Sequence, residues 1–517
     1  MRIRDNALWG NHVWSVGVLL LAVLLSGQAV ADLQQVSVGG EMRIRGRYYI
    51  NTWAQPFGTA QERIPGSWLV RRPIGAPNAA SLFSWDTGQD DWTRYETALK
   101  LHVKADFSDK VTGFIEFYDF HIWGEDFRSQ DYLTGLDTRA VTDEDVEVEQ
   151  AYVDIHQMWG TPLSLRIGRQ EMVLGKGWLV TNMLTPSQFS SHDAIRLTYD
   201  AGEVRVDAFW SKLLDGVSGD EDVDFYGVYG TYSGFEPLSL SAYWFFLRDG
   251  REVSTSANSP FGEWLEDLWN LDDYGHTNLH TLGIRAFGAR AGFDYDLELA
   301  YQFGDAATLG GLFVPVGGRY GDTNAEYGHW GGDLTIGYTF EQAKWTPRVY
   351  AKGAYFGGDD KRDISFFEWL NPFYRPEASV SFNRLFSDKN YMPVVNDNGW
   401  MSNFAQAQAG IEVQPLEKVR IHLHGARDWV VAPFDRPVLP RLSFWTREGS
   451  DDIGWEVAAW LKYDYSDSLW FLFYGNYLWT DDGLTDGSFI QFNGTGFSGG
   501  SDDDDAGYMF WMAVLKF

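Results

Sequence analysis

Apolar and polar residues alternate one for one along most of this chain. In residues 97–107, Thr97, Leu99, Leu101, Val103, Ala105 and Phe107 are interleaved with Ala98, Lys100, His102, Lys104 and Asp106. Successive side chains of an extended strand point to opposite faces, so this order gives one apolar face and one charged face. The same period recurs at 238–246, 295–303, 334–340, 409–413 and 455–465. Helical spacing is nearly absent. Only 262–274, where Trp264, Leu268 and Leu271 share a helix face, predicts a short helix, packed inside a loop.

These runs predict about 18 strands, a number typical of the larger outer-membrane barrels. The expected spans are 36–51, 94–107, 111–123, 146–158, 162–170, 193–200, 203–212, 223–233, 237–248, 279–289, 292–304, 330–341, 345–357, 402–414, 418–431, 453–466, 468–480 and 506–517. Short turns follow the even-numbered strands (108–109, 159–161, 200–202, 234–236, 290–291, 342–344, 415–417 and 466–467). Long connections such as 52–93, 249–278, 358–401 and 481–505 follow odd-numbered ones. Short on one rim and long on the other is how bacterial barrels are built, with periplasmic turns and extracellular loops. A propeller would require a sequence repeat, and none is seen. The expected fold class is therefore all-β: a single transmembrane, antiparallel, up-and-down barrel with both termini on the periplasmic side.

The N-terminus supports export. Arg2 and Arg4 precede an apolar stretch, VGVLLLAVLL (16–25), too short for a membrane-spanning helix, and Ala29-Val30-Ala31 forms a small-x-small cleavage site. Residues 1–31 read as a signal peptide, not of the lipoprotein type because no Cys follows, and 32–517 as the barrel. No later segment is apolar for long enough to be a transmembrane helix, and an exported chain that spans a membrane without helices must be a closed barrel. The aromatic content of 16% fits such a chain, since Trp and Tyr gather where hydrocarbon meets water. The final segment, YMFWMAVLKF (508–517), puts Met509, Trp511, Ala513, Leu515 and Phe517 on one face. Its terminal Phe517 is expected to be read by barrel-assembly machinery. The opposite face, Phe510, Met512 and Val514, is apolar for a lumen and is expected to be covered by a loop or the N-terminal segment.

If the apolar face meets lipid, parity assigns each charge. Arg43, Arg45 and Arg47 on the first strand point inward, as do Lys100, Lys104, Arg166, Arg196, Arg205, Arg285, Arg348, Lys352, Arg420 and Lys462. Lumenal acids are expected at Glu116, Asp154, Asp207, Asp296, Glu298, Glu412, Glu456 and Asp464. Rings of Arg or Lys favour anions in pores, and guanidinium groups bind carboxylates through both oxygens. The same arginines can instead pair with lumenal acids and brace a wide barrel; both readings stay open here. The loop 358–401 is expected to fold inward and narrow the pore, with Arg375 and Arg384 as constriction candidates. Its aromatic residues either stack on sugar rings or, the commoner arrangement, form a small core that orders the loop.

The net charge of −31 excludes nucleic acid as a partner. The excess acid gathers in acidic runs near 143–149, 220–224 and 502–505, read as solvated loops rather than calcium sites. Ser191, His192 and Asp193 cannot form a triad, because neighbours on a strand face opposite ways. No G-x-S-x-G, HExxH or phosphate-binding glycine loop is present, so neither an enzyme nor a cofactor or metal site is expected.

Several segments resemble the alginate-export family of outer-membrane proteins: KADFSDKVTGFIEFY (104–118), VEQAYVDI (148–155), LRIGRQEMVLG (165–175), HDAIRL (192–197) and FNRLF (382–386). The resemblance implies an 18-stranded barrel in the outer membrane of a Gram-negative-type bacterium and, as in the family's founding member, passage of a polyuronate through an arginine-rich pore. Arg166, Arg169 and Arg196 lie in matched segments and become candidates for that lining. Arg169 has outward parity, so a bend or the strand end would have to turn it inward. The expected function is a passive channel for anionic or saccharide solutes, with periplasmic export partners a further expectation. The alternatives are a general porin and a plugged barrel with an enzymatic or structural role.

Overall fold

The computed structural model describes residues 33–52, 90–123, 146–185, 188–215, 222–250, 276–306, 308–311, 319–322, 325–359, 365–370, 379–387, 389–395, 402–433, 436–437, 446–447, 449–485 and 505–517. The expected signal peptide, the helix expected at 262–274 and Arg375 lie outside these residues.

Eighteen long strands form the wall. They are β1 (Gln35–Thr52), β2 (Asp90–Ser108), β3 (Val111–Ile122), β4 (Glu147–Ile155), β5 (Leu163–Gln170) and β6 (His192–Asp200). Next come β7 (Val204–Leu214), β8 (Val223–Phe235), β9 (Leu238–Asp249), β10 (Thr277–Arg290), β11 (Phe293–Asp305) and β12 (Trp330–Thr339). The circuit ends with β13 (Arg348–Phe356), β14 (Phe404–Leu416), β15 (Val419–Val430), β16 (Asp452–Asp464), β17 (Leu469–Thr480) and β18 (Ala506–Lys516). Each pairs antiparallel with the next in sequence. β1 also pairs with β18, Met42 opposite Leu515 and Arg47 opposite Phe510, which closes the sheet. Closure satisfies the backbone groups that hydrocarbon could not. The last residue takes part: the Gly40 amide donates to the Phe517 carbonyl at 2.8 Å, and the Phe517 amide to that of Gly40 at 3.1 Å.

Strand number and order follow the expected pattern, and the small departures have local causes. β4 stops at Ile155 because Gln157 (φ 50°) and Trp159 (φ 53°) turn left-handed in the connection to β5. β13 begins at Arg348 because Trp345 (φ 70°) and Thr346 (φ 41°) belong to a turn.

The outer face is apolar and exposed: Leu101, Ile115, Val153, Ile167, Ile195, Leu282, Ile284, Ile411, Leu423 and Phe473 all project from the wall. Exposed rings flank this belt at both ends. Trp210, Trp244, Trp330, Trp455 and Trp479 lie toward the long-loop rim; Tyr199, Phe235, Phe293, Tyr338 and Tyr463 lie toward the short-turn rim. Two such girdles with hydrocarbon-like side chains between them mark the height of a bilayer.

Candidate functional site

The inner wall holds a second structure. Described parts of the segments between β5 and β6 (171–185) and between β13 and β14 (379–387 and 389–395) turn into the barrel and interlock, forming a diaphragm on the long-loop side. Val180 and Phe386 pair as a parallel bridge, and the Phe386 amide donates to the Leu179 carbonyl at 2.9 Å. Trp178 is stacked against Phe356 of β13 and Phe382 of the second segment, with centroids 6.0 and 6.1 Å away. Phe386 packs on Phe225 of β8 at 4.9 Å. Pro393–Val395 crosses to lie against β1, β17 and β18. It joins the core cluster that holds Tyr508 and against which Phe510 packs, so part of the apolar inner face of β18 is covered there; Met512 and Val514 are buried outside that cluster.

Polar contacts bind the diaphragm to the wall. Gln302 of β11 accepts from the Asn383 amide and donates to the Asn383 carbonyl, both at 2.7 Å. The Tyr391 hydroxyl donates to Asp333 at 2.7 Å, and Gln406 donates to the Tyr391 carbonyl at 2.7 Å. Lys176 reaches Asp333 at 2.7 Å and Asp296 at 3.2 Å. Gly175 sits in a left-handed turn (φ +59°) where a Cβ would lie 2.3 Å from the Tyr229 hydroxyl, so glycine lets this turn touch the wall. The expected inward fold of 358–401 is thus observed at 379–387 and 389–395, whose buried aromatic residues form a core, whereas Phe366 and Phe367 of the short helix Phe366–Leu370 are exposed. The partner segment 171–191 was not expected. Its signal was present in MVLGKGWLV (172–180), too apolar for an exposed loop and without strand alternation.

The basic residues sort into three groups. Near the diaphragm, Arg45 and Arg47 face inward but are sealed. Arg45 pairs with Glu96, and Arg47 donates to the Tyr508 hydroxyl at 3.1 Å. Arg43 pairs with Glu41 and lies over the Phe189 ring. Lys100 contacts Glu116 at 3.0 Å and also Glu171. Lys352 lies 3.8 Å from Asp333. Arg384 is a correction to its expected place at a constriction: it is fully buried, donating to the Lys389 carbonyl and lying over Phe356 and Tyr391. It braces the loop because its guanidinium fills the loop's own turn.

A second group lines the periplasmic half. Arg166 grips Asp154 through Nε and Nη2, one to each carboxylate oxygen, at 2.7 Å. Arg196 and Arg205 share Asp207 at 2.7 and 3.1 Å. Arg285 pairs with Asp296, and Arg348 with Asp294, each at 2.5 Å. Lys104 pairs with Asp106 at 3.2 Å, and Arg420 lies 3.9 Å from Asp464. Many of the inward cations therefore have a carboxylate beside them.

Arg169 is the third case and a second correction. It shares the outer face with Ile167 and pairs with Asp193 at 3.0 Å across β5 and β6. Gly168, with φ +126°, does not reverse the parity, because the register with Asp193 carries Arg169 outward. His192, its neighbour in the ladder, is buried on the inner side, so His192 and Asp193 do face apart.

A closed up-and-down barrel with an apolar outer belt between two aromatic girdles, an ionic inner wall and inward-folded loops is an outer-membrane channel of the porin class. The chain belongs to the alginate export family, whose model matches residues 78–436. Among solved structures, the chain is similar to OccAB1 of Acinetobacter baumannii (12% identity, 95% of this chain and 99% of that chain, TM-score 0.49). It is also similar to OccK8 (OprE) of Pseudomonas aeruginosa (10%, 93% and 98%, 0.49) and to a BenF-like porin from Pseudomonas fluorescens Pf-5 (8%, 94% and 99%, 0.48). No curated protein matches the chain.

Proposed function

We propose that this channel passes anionic saccharide chains, such as a polyuronate, by diffusion along an arginine-bearing track on the inner wall of β4–β7. One observation carries the reading. Arg166 and Arg196 stand directly opposite one another on β5 and β6. Like charges in that position repel. Each is held instead by a carboxylate on its far side, Asp154 and Asp207. The acids lie deeper than the cations: the Arg166 side chain is 30% exposed against 12% for Asp154, and Arg196 is 12% exposed against 5% for Asp207, with the second partner of Asp207, Arg205, 49% exposed. Two guanidinium groups side by side, backed by buried carboxylates, suit the carboxylate of a passing uronate.

Planar-bilayer recording tests this. An anion-preferring conductance, blocked more strongly by oligouronates than by neutral oligosaccharides, is expected, with the difference reduced in the double variant Arg166→Gln, Arg196→Gln. Conductance with no preference for anions and no oligouronate block would refute it in favour of a general porin. The interlocked segments favour a second reading, a barrel plugged at rest; folded protein without conductance would select that.

A further inference from the structure

The outer face carries a row of charges that the channel reading does not use. Five charged residues, Arg169, Asp193, Lys212, Asp224 and Arg248, occupy five consecutive strands, β5 to β9, each in direct register with the next, and the row ends at the neutral Asn278 of β10. The row is ionic from Arg169 to Asp224. Arg169 contacts Asp193 at 3.0 Å, and Lys212 contacts Asp224 at 3.2 Å and Asp222 at 2.5 Å. Its outward direction is fixed by the residues two positions nearer the periplasm on the same face: Ile167, Ile195, Trp210, Tyr226, Phe246 and His280. These belong to the aromatic and aliphatic belt, and the Trp210 indole donates upward to Asp224 at 3.1 Å.

Charged side chains on the lipid face are costly at the bilayer midplane and nearly without cost near its interfaces. A row of them directly above an aromatic girdle therefore lies where hydrocarbon gives way to headgroups. On the long-loop side that layer is the outer leaflet. The cations Arg169, Lys212 and Arg248 fall on alternate strands, roughly 9–10 Å apart by the spacing of neighbouring strands. They alternate with carboxylates, as phosphates and bridging divalent ions alternate in a phosphorylated glycolipid layer. Basic side chains at this depth attract anionic headgroups.

We propose that this face of β5–β10 is a binding surface for the phosphate groups of outer-leaflet glycolipid, with Arg169, Lys212 and Arg248 as phosphate contacts. The surface holds lipid against one side of the barrel and is independent of what crosses the lumen.

The test uses the full-length barrel in detergent, titrated with diphosphorylated lipid A, with its dephosphorylated form and with inorganic phosphate. Binding is read by native mass spectrometry and by the temperature at which the folded barrel loses its fast electrophoretic mobility. The phosphorylated lipid is expected to bind and to raise that temperature by several degrees, with neither control doing so. The variant Arg169→Gln, Lys212→Gln, Arg248→Gln is expected to bind at least tenfold more weakly. If the triple variant does not fold, Arg248→Gln, which breaks none of the row's ion pairs named above, carries the test with an expected loss of about threefold. Equal binding by variant and wild type, or by phosphorylated and dephosphorylated lipid, overturns the proposal, as does saturation by inorganic phosphate alone.

Discussion

Replacing Trp178 by alanine separates the diaphragm from the wall that surrounds it. The side chain is 1% exposed and packs between Phe356 and Phe382, so it joins the two inward segments to each other and to β13. Truncating a buried Trp or Phe costs about 3–5 kcal/mol, ring contacts included. The wall contains no side chain of Trp178 in its ladder, and its backbone pairing is continuous around the ring. The loss therefore falls on the diaphragm. At about 1.4 kcal/mol per tenfold, the equilibrium between docked and undocked segments shifts by roughly a hundred- to a few-thousand-fold. Single-channel recording of Trp178→Ala should show larger or more frequently opening events, while the heat-sensitive mobility of the folded barrel is kept. Trp178→Phe should fall between the two. A folded Trp178→Ala protein with the conductance and gating of wild type would refute the claim that this ring holds the segments in place.

Two further outcomes follow from the same geometry. Gln302→Ala removes both partners of the Asn383 backbone and leaves that buried amide unpaired, a loss of about 1–3 kcal/mol; it should loosen the second segment, seen as faster proteolysis or hydrogen exchange within 379–387 at unchanged barrel stability. Asp207→Asn removes the carboxylate shared by Arg196 and Arg205. A unit charge seen across water at about 7 Å is worth roughly 0.6 kcal/mol, so anion preference should rise about two- to threefold at low salt and less as salt screens it. Reversal potentials in a salt gradient check this, and a shift toward cations would contradict the assignment of this pair to the lumen.

Much of the barrel was legible because a strand's side-chain period is local. Leu101 and Lys100 are sent to opposite faces by the pleat alone, and the same rule placed Arg43, Arg166, Arg285 and Arg348 inside. It also gave Arg169 its outward parity; the family resemblance pulled the other way, and the register with Asp193 decided for parity. What parity could not supply was the partner of each charge. Whether Arg166 braces or beckons depends on Asp154 lying beneath it, and that is a matter of which residues stand opposite across two strands.

The number and order of strands, the apolar face of each and the inward set of cations can be read from the local pattern of residues. That Trp178 meets Phe382, that Gln302 clamps Asn383, that Arg384 is walled in and that five outward charges line up as one row came only from the folded arrangement. The reason is physical. A face is set by torsions within one strand, whereas loop docking and row alignment are set by contacts between residues far apart in the chain, whose spacing no local period encodes.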